Sequence, residues 1–293
     1  MQESVSYCQV KTILSKLREL DNFFGITYNM NVYRGCMHGC IYCDSRSDCY
    51  RIGDISKIIV KSNAPELLYR ELKSKHGKYA TIGTGSMNDP YMPIEEREKI
   101  VRKCMETIAD FSFPVHVITK SDLVTRDIDL LKRISERYAA VSFTVTCAQD
   151  SLSAKIEPSA PLTSMRFKAM ERLASAGIYT GVTMMPLLPY LNDSTDNITS
   201  IIQRAADCGA SYIIPMFGVT MRKGSREYLY NKLDSIAPGL SLYYDKTYGE
   251  KYECFSPDYV NLQKVFKQKL SEVKLSSRMK FYTQEPDNQL SLF

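Results

Sequence analysis

The chain has 293 residues, 44% of them apolar and 24% charged, with a net charge of +5, the balance of an ordinary globular protein. No apolar run approaches the ~18 residues needed to cross a bilayer, and Met1-Gln2-Glu3-Ser4 lacks the basic-then-apolar order of a secretion signal, so a cytoplasmic location is expected. The mild positive charge permits an anionic partner without demanding one.

Strand-like runs are expected at residues 27–33, 79–82, 115–119, 140–146, 179–185 and 212–216. Helix-length stretches separate them at 64–75, 94–111, 126–138, 162–176 and 195–208. In the third of these, Ile128, Leu130, Leu131 and Ile134 recur at helical spacing, and Gly177 and Gly209 follow their helices as C-caps should. The run 57–61 reads as an extra strand inserted after a cysteine-rich loop. Six β-runs joined by helical crossovers predict a parallel α/β domain. Beyond residue 217 the rhythm stops. Residues 225–293 read as a helical extension made basic by Lys264, Lys267, Lys269, Lys274, Arg278 and Lys280, and the residues after Pro286 as a flexible tail.

Nine cysteines is an odd and high number, which argues against a secreted disulfide scaffold. Cys8, Cys104, Cys147, Cys208 and Cys254 are scattered, and most of them read as small buried side chains. Cys36, Cys40, Cys43 and Cys49 fall within fourteen positions, the first three spaced CxxxCxxC on a loop with Gly35 and Gly39. Soft anionic thiolates bind iron well, and a four-iron cluster normally takes four ligands. Three cysteines on one short loop leave the fourth iron open, as a substrate-binding cluster needs. A zinc site completed by His38 or Cys49 also satisfies this spacing.

The segment Arg34-Gly35-Cys36-Met37-His38-Gly39-Cys40-Ile41-Tyr42-Cys43 resembles the signature of the radical S-adenosylmethionine (SAM) superfamily. Four further blocks resemble its spore photoproduct lyase-like branch: Tyr33 to Cys36 with His38-Gly39-Cys40, Asp89 to Glu95, Thr119-Lys120-Ser121, and Glu157 to Pro161. The resemblance implies a partial (β/α)6 barrel of the TIM type over residues 26–220, between an N-terminal segment 1–25 and a helical extension 221–286, with a tail at 287–293. It implies a [4Fe–4S] cluster on Cys36, Cys40 and Cys43, and SAM bound at the open iron. Reductive cleavage of SAM would then give a 5′-deoxyadenosyl radical. It assigns Tyr42 to the adenine, Gly83, Thr84 and Gly85 to the SAM amino group, and Lys120 to the SAM carboxylate. Ser142 and Thr144 alternate along a strand and are expected to face the barrel, where hydroxyls bond the methionine or ribose part of SAM. Arg166 is read either as an anion-binding group or as half of a surface ion pair.

One departure is informative. Spore photoproduct lyase carries a hydrogen-donating cysteine just past its second strand, and Gly83-Thr84-Gly85-Ser86-Met87 has none. Cys147, expected at the barrel mouth, and Cys49, beside the cluster loop, are the candidate substitute thiols. At the end of the chain, Gln289-Leu290-Ser291-Leu292-Phe293 resembles a bacterial sliding-clamp binding peptide, with Gln289, Leu290, Leu292 and Phe293 as its contacts. Together these features favour a radical SAM enzyme acting on DNA or another nucleic acid. A peptide or small-molecule substrate, and a metal-stabilised binding module without catalysis, are the alternatives.

Overall fold

The computed structural model describes residues 5–19 and 21–284; the clamp-like residues Gln289, Leu290, Leu292 and Phe293 lie outside them. The strands are β1 (Val5–Cys8), β2 (Leu14–Lys16), β3 (Tyr28–Met30), β4 (Tyr33–Arg34), β5 (Ile58–Lys61), β6 (Ile82–Thr84), β7 (Val115–Thr119), β8 (Ala139–Thr144), β9 (Tyr179–Met184), β10 (Tyr212–Pro215), β11 (Gly218–Thr220) and β12 (Glu253–Phe255). The α-helices are α1 (Ala64–Lys73), α2 (Ile94–Glu98), α3 (Ile100–Asp110), α4 (Ile128–Ser135), α5 (Asp150–Ile156), α6 (Thr163–Ser175), α7 (Thr195–Asp207), α8 (Ser225–Ile236), α9 (Leu240–Tyr248) and α10 (Tyr259–Val273).

Six strands pair in parallel and in chain order, β3-β6-β7-β8-β9-β10, and β2 lies antiparallel on the β3 edge. Parallel neighbours need helical crossovers, which cover the outer face. The expected α/β partial barrel is therefore present. β8 shows the consequence most clearly: all six of its residues are buried, because α4 covers one face and the barrel interior the other.

Local differences from the sequence reading have identifiable causes. The run 27–33 divides between two sheets. β3 joins the barrel, while β4 pairs with β5, which pairs with β1 in a separate three-stranded sheet. The stretch 94–111 breaks at Lys99, which adopts φ +54° between α2 and α3. The break is held by Glu95, which is fully buried. Its carboxylate accepts the amides of Val101 at 2.9 Å and Arg102 at 3.2 Å, capping the new helix. The stretch 126–138 becomes α4 preceded by a 3₁₀ turn at Asp122–Asp127.

Past the barrel, α8, α9 and α10 are helical as expected, and an antiparallel pair, β11 with β12, is added. Leu262, Phe266 and Leu270 form a buried stripe at helical spacing on α10, which packs on α7. Lys264, Lys267 and Lys274 are exposed on the outside of the barrel. The chain then crosses beneath the N-terminal ends of the strands. The carbonyl of Ser276 accepts the amide of Ile213 at 2.8 Å, the carbonyl of Lys280 accepts the hydroxyl of Tyr138 at 2.6 Å, and the Lys280 amide donates to the hydroxyl of Tyr179 at 2.9 Å.

Candidate active site

The cysteine loop follows β4 and is shaped by two constraints. Gly35 has φ +88°, and a Cβ there would stand 2.5 Å from the carbonyl of Lys57 and 2.8 Å from that of Ile55, so no side chain fits. The Cys36 amide bonds the same Ile55 carbonyl at 2.9 Å. On the other flank the loop is gripped by the segment after β8. The Ile41 amide donates to Ile156 at 3.0 Å, and the Ser159 amide to His38 at 3.1 Å.

A cavity of about 330 Å³ opens at the C-terminal ends of the parallel strands. Cys36, Cys40 and Cys43 form one wall. The others come from successive strand ends: Met87, Asn88 and Asp89 after β6, Thr119 and Lys120 at the end of β7, Thr144 on β8, Met185 and Pro186 after β9, and Met216 after β10. Functional sites of complete (β/α) barrels gather at this end for the same reason: it collects one loop from each strand.

Two buried carboxylates organise this mouth. Asp89 accepts the Thr119 hydroxyl and the Lys120 amide, both at 2.6 Å, and the Tyr91 amide at 2.9 Å. The His38 ring lies 3.0 Å away. Burial alone would raise this carboxyl, but His38 and the two bonds at 2.6 Å hold it down at about 2. Glu157 is the second. It accepts the Tyr42 hydroxyl and pairs with Arg166 at 2.5 Å, with both side chains 0% exposed. Arg166 also donates to the carbonyls of Thr144 at 2.9 Å and Pro161 at 2.8 Å. Against the burial of Glu157, Arg166 and then Lys120 lower its pKa. The Lys120 ammonium stands 5.6 Å from the centre of the Tyr42 ring and faces the cavity.

The donor set suits a multi-iron cluster. Cys36, Cys40 and Cys43 are soft sulfur donors that border one shared cavity. Burial pushes the Cys36 thiol up to about 11 and raises Cys40 as well, so a cationic centre is what would hold them as thiolates. The two zinc ligands considered from spacing are otherwise placed. The His38 ring is committed between Asp89 and the carbonyl of Ser159, and Cys49 is exposed and does not line the cavity.

Of the remaining residues singled out from sequence, Tyr42, Gly85, Lys120 and Thr144 line the cavity. Gly83, Thr84, Ser142 and Cys147 do not. Gly83 makes room for Ile26, whose side chain would lie 2.7 Å from an added Cβ. Ser142 faces the interior one layer below Thr144, where its hydroxyl bonds His116 Nε2 at 2.8 Å and the Tyr212 hydroxyl at 2.7 Å. Cys147 is 0% exposed, its sulfur 3.6 Å from Thr146 Oγ1 and Asn192 Nδ2, and burial raises its pKa to about 12. Arg166 is neither a surface ion pair nor an open anion site, because Glu157 occupies it. Asp89 and Glu157 sit within sequence motifs that carry no sign of their burial or partners, which arise only in the fold.

The Radical SAM superfamily profile matches residues 30–200. An uncharacterized protein of Methanocaldococcus jannaschii is 32% identical over 235 residues, covering 79% of this chain and 80% of that protein. A protein of Pseudomonas phage M6 named radical SAM Nalpha-GlyT isomerase is 26% identical over 182 residues, 62% of this chain and 37% of that one. Among solved structures, spore photoproduct lyase complexed with dinucleoside spore photoproduct superposes with a TM-score of 0.68 at 13% identity, covering 94% of this chain and 82% of that one, which shows the same fold. With a matched profile over more than half of its length, three cysteines around a cavity at the strand ends and this barrel, the chain belongs to the radical SAM superfamily of enzymes.

Proposed function

We propose that Cys36, Cys40 and Cys43 hold a [4Fe–4S] cluster, that SAM binds beside it in the cavity, and that the substrate is a nucleic acid carrying a damaged or modified base. The observation that carries this reading is the meeting of three thiols and a cavity-facing lysine ammonium in one cavity at the strand ends. A bound cluster, reduced by one electron from an external donor, would supply the chemistry for cleaving SAM to methionine and a hydrogen-abstracting 5′-deoxyadenosyl radical. The chain's own residues position and shield. Lys120 offers a cation to the SAM carboxylate. Tyr42, fixed by Glu157, would pack beside the adenine, and Thr144, whose hydroxyl bonds that of Thr183 at 2.9 Å, would offer its remaining hydrogen-bonding capacity. Met87, Met185 and Met216 give the cavity an apolar lining that keeps water from a reactive intermediate. The nucleic-acid class is supported by the dinucleoside in the spore photoproduct lyase complex of the same fold.

The test is anaerobic reconstitution. The protein is expected to bind about four iron and four sulfide and to form 5′-deoxyadenosine from SAM with dithionite. Cys36→Ala, Cys40→Ala and Cys43→Ala should each abolish the cluster, and Cys49→Ala should leave it. Recovery of stoichiometric zinc with no uptake of iron would overturn the reading. Transfer of deuterium from base-labelled DNA to 5′-deoxyadenosine identifies the substrate class.

A further inference from the structure

Beside the cavity, segments far apart in sequence meet to form one basic strip. Arg34, at the end of β4, donates from its guanidinium to the carbonyl of Arg51. The Arg51 amide bonds the carbonyl of Asp48 at 3.1 Å, and the Asp48 amide bonds the carbonyl of Lys223 at 3.0 Å. The next residue back, Arg222, reaches the hydroxyl of Tyr252 with Nη2 at 2.8 Å, and Lys251 adjoins Tyr252. Arg34, Arg51, Lys223 and Lys251 are exposed and, among the described residues, make no ion pair; Arg222 is paired to Asp44, and the exposed carboxylates of Asp48, Glu253 and Glu250, the last paired to Arg226, lie on the same segments.

Two aromatic faces are set into this strip. Tyr50 is 37% exposed and Tyr252 is 45% exposed. Arg222 holds both by their hydroxyls, with Nη1 3.3 Å from that of Tyr50 as well as bonded to Asp44, and its guanidinium carbon lies 4.6 Å from the centre of the Tyr252 ring, so one face of Tyr252 is covered and a base would use the other. Rings held in advance lose little freedom when a flat group lands on them. Tyr50 also lines the cavity, so strip and cavity are continuous.

We infer that this strip seats the sugar-phosphate backbone of a nucleic-acid strand, with an unpaired base stacked on Tyr252 and the adjacent nucleotide at the mouth of the cavity. The inference rests on the nucleic-acid reading above and adds where the strand binds and in what form. Four exposed cations that make no ion pair suit a phosphate backbone, and exposed aromatic faces stack on bases that pairing has not hidden. An acidic peptide would be drawn to the same cations but makes no comparable use of flat aromatic faces.

The experiment uses the reconstituted full-length protein and a fluorescent DNA strand of about twelve nucleotides, a length that spans such a groove. Affinity is measured across a salt series, beside the matching duplex and an acidic peptide of similar charge. The single strand should bind more tightly than the duplex, with a steep loss on adding salt. Arg51→Gln, Lys223→Gln and Lys251→Gln should each flatten the logarithmic salt slope by about 0.7. Tyr252→Leu should weaken binding about tenfold, and Tyr252→Phe, which keeps the ring, much less. Unchanged circular dichroism, iron content and substrate-free 5′-deoxyadenosine formation establish that these variants are folded. If the wild type binds the strand with a steep slope but the variants match it, the strip is overturned and the nucleic-acid reading stands. If the duplex binds as well as the strand and Tyr252→Leu has no effect, the stacked unpaired base is overturned. If the strand does not bind and the acidic peptide does, both readings fall.

Discussion

At the floor of the barrel, His116 and Tyr212 each bond the Ser142 hydroxyl, and the Tyr212 ring fills the space that Gly181 leaves; a Cβ there would lie 2.4 Å from the ring. At the mouth, one layer higher on the same strands, Thr144 and Lys120 face a cavity, and the buried carboxylates of Asp89 and Glu157 hold its walls. Both ends contain buried polar groups. At the floor those groups bond among themselves in closing the barrel, with His116 Nδ1 left without a partner, whereas at the mouth the same kinds of group support a surface left open for ligands. A buried polar side chain is therefore a sign of function only when the network around it leaves a group facing a void.

The comparison can be broken most forcefully at Glu157. Glu157→Gln keeps the shape but leaves Arg166 buried without its counter-charge, which should destabilise the protein by about 3–5 kcal/mol. Chemical denaturation measures this directly, and a loss within error of zero would mean that solvent reaches the pair. The floor should respond to pH instead. Burial lowers His116 to about 3 from its ordinary 6.5. The unfolded chain takes up a proton below 6.5 that the folded one refuses until about 3, so this contribution is complete above 6.5 and is lost as the pH falls. By pH 5 the loss should be about 2 kcal/mol. His116→Gln should flatten the stability profile between pH 6.5 and 5, and an unaltered slope would show that the ring reaches water.

Smaller effects separate the two ends by what they touch. Lys120→Ala should weaken SAM binding about tenfold, the loss of a charge-assisted bond, while iron content stays the same. Calorimetry on the reconstituted protein checks it, and normal SAM affinity would remove Lys120 from the site. Tyr212→Phe deletes one hydroxyl from the floor and should cost about 1 kcal/mol of stability with SAM cleavage unchanged. A drop in cleavage would mean that the floor network reaches the mouth after all.

Periodicity and spacing determined a good deal of this protein. The alternation of β-runs and helices fixed six parallel strands in chain order, and residues 115–119 correspond to β7 without change. Three cysteines on one glycine-bearing loop border one cavity because their separation in the chain already limits their separation in space. These are local properties, set by helical and strand repeats and by the short reach of a loop. Only the tertiary structure decided the rest. Cys147 and Ser142 lie on or beside the right strand, yet packing buries the first and His116 and Tyr212 engage the second. The break at Lys99 depends on where the Glu95 carboxylate turns, and the pairing of Glu157 with Arg166 on how α6 docks beside the cysteine loop. The basic side chains legible on α10 run down the outside of the barrel, whereas the strip at the mouth draws on residues 34, 51, 222, 223 and 251. No window of sequence contains that strip. It exists because the loop after Cys43 and the start of α8 fold onto each other, and contacts between distant segments are set by packing of the whole chain.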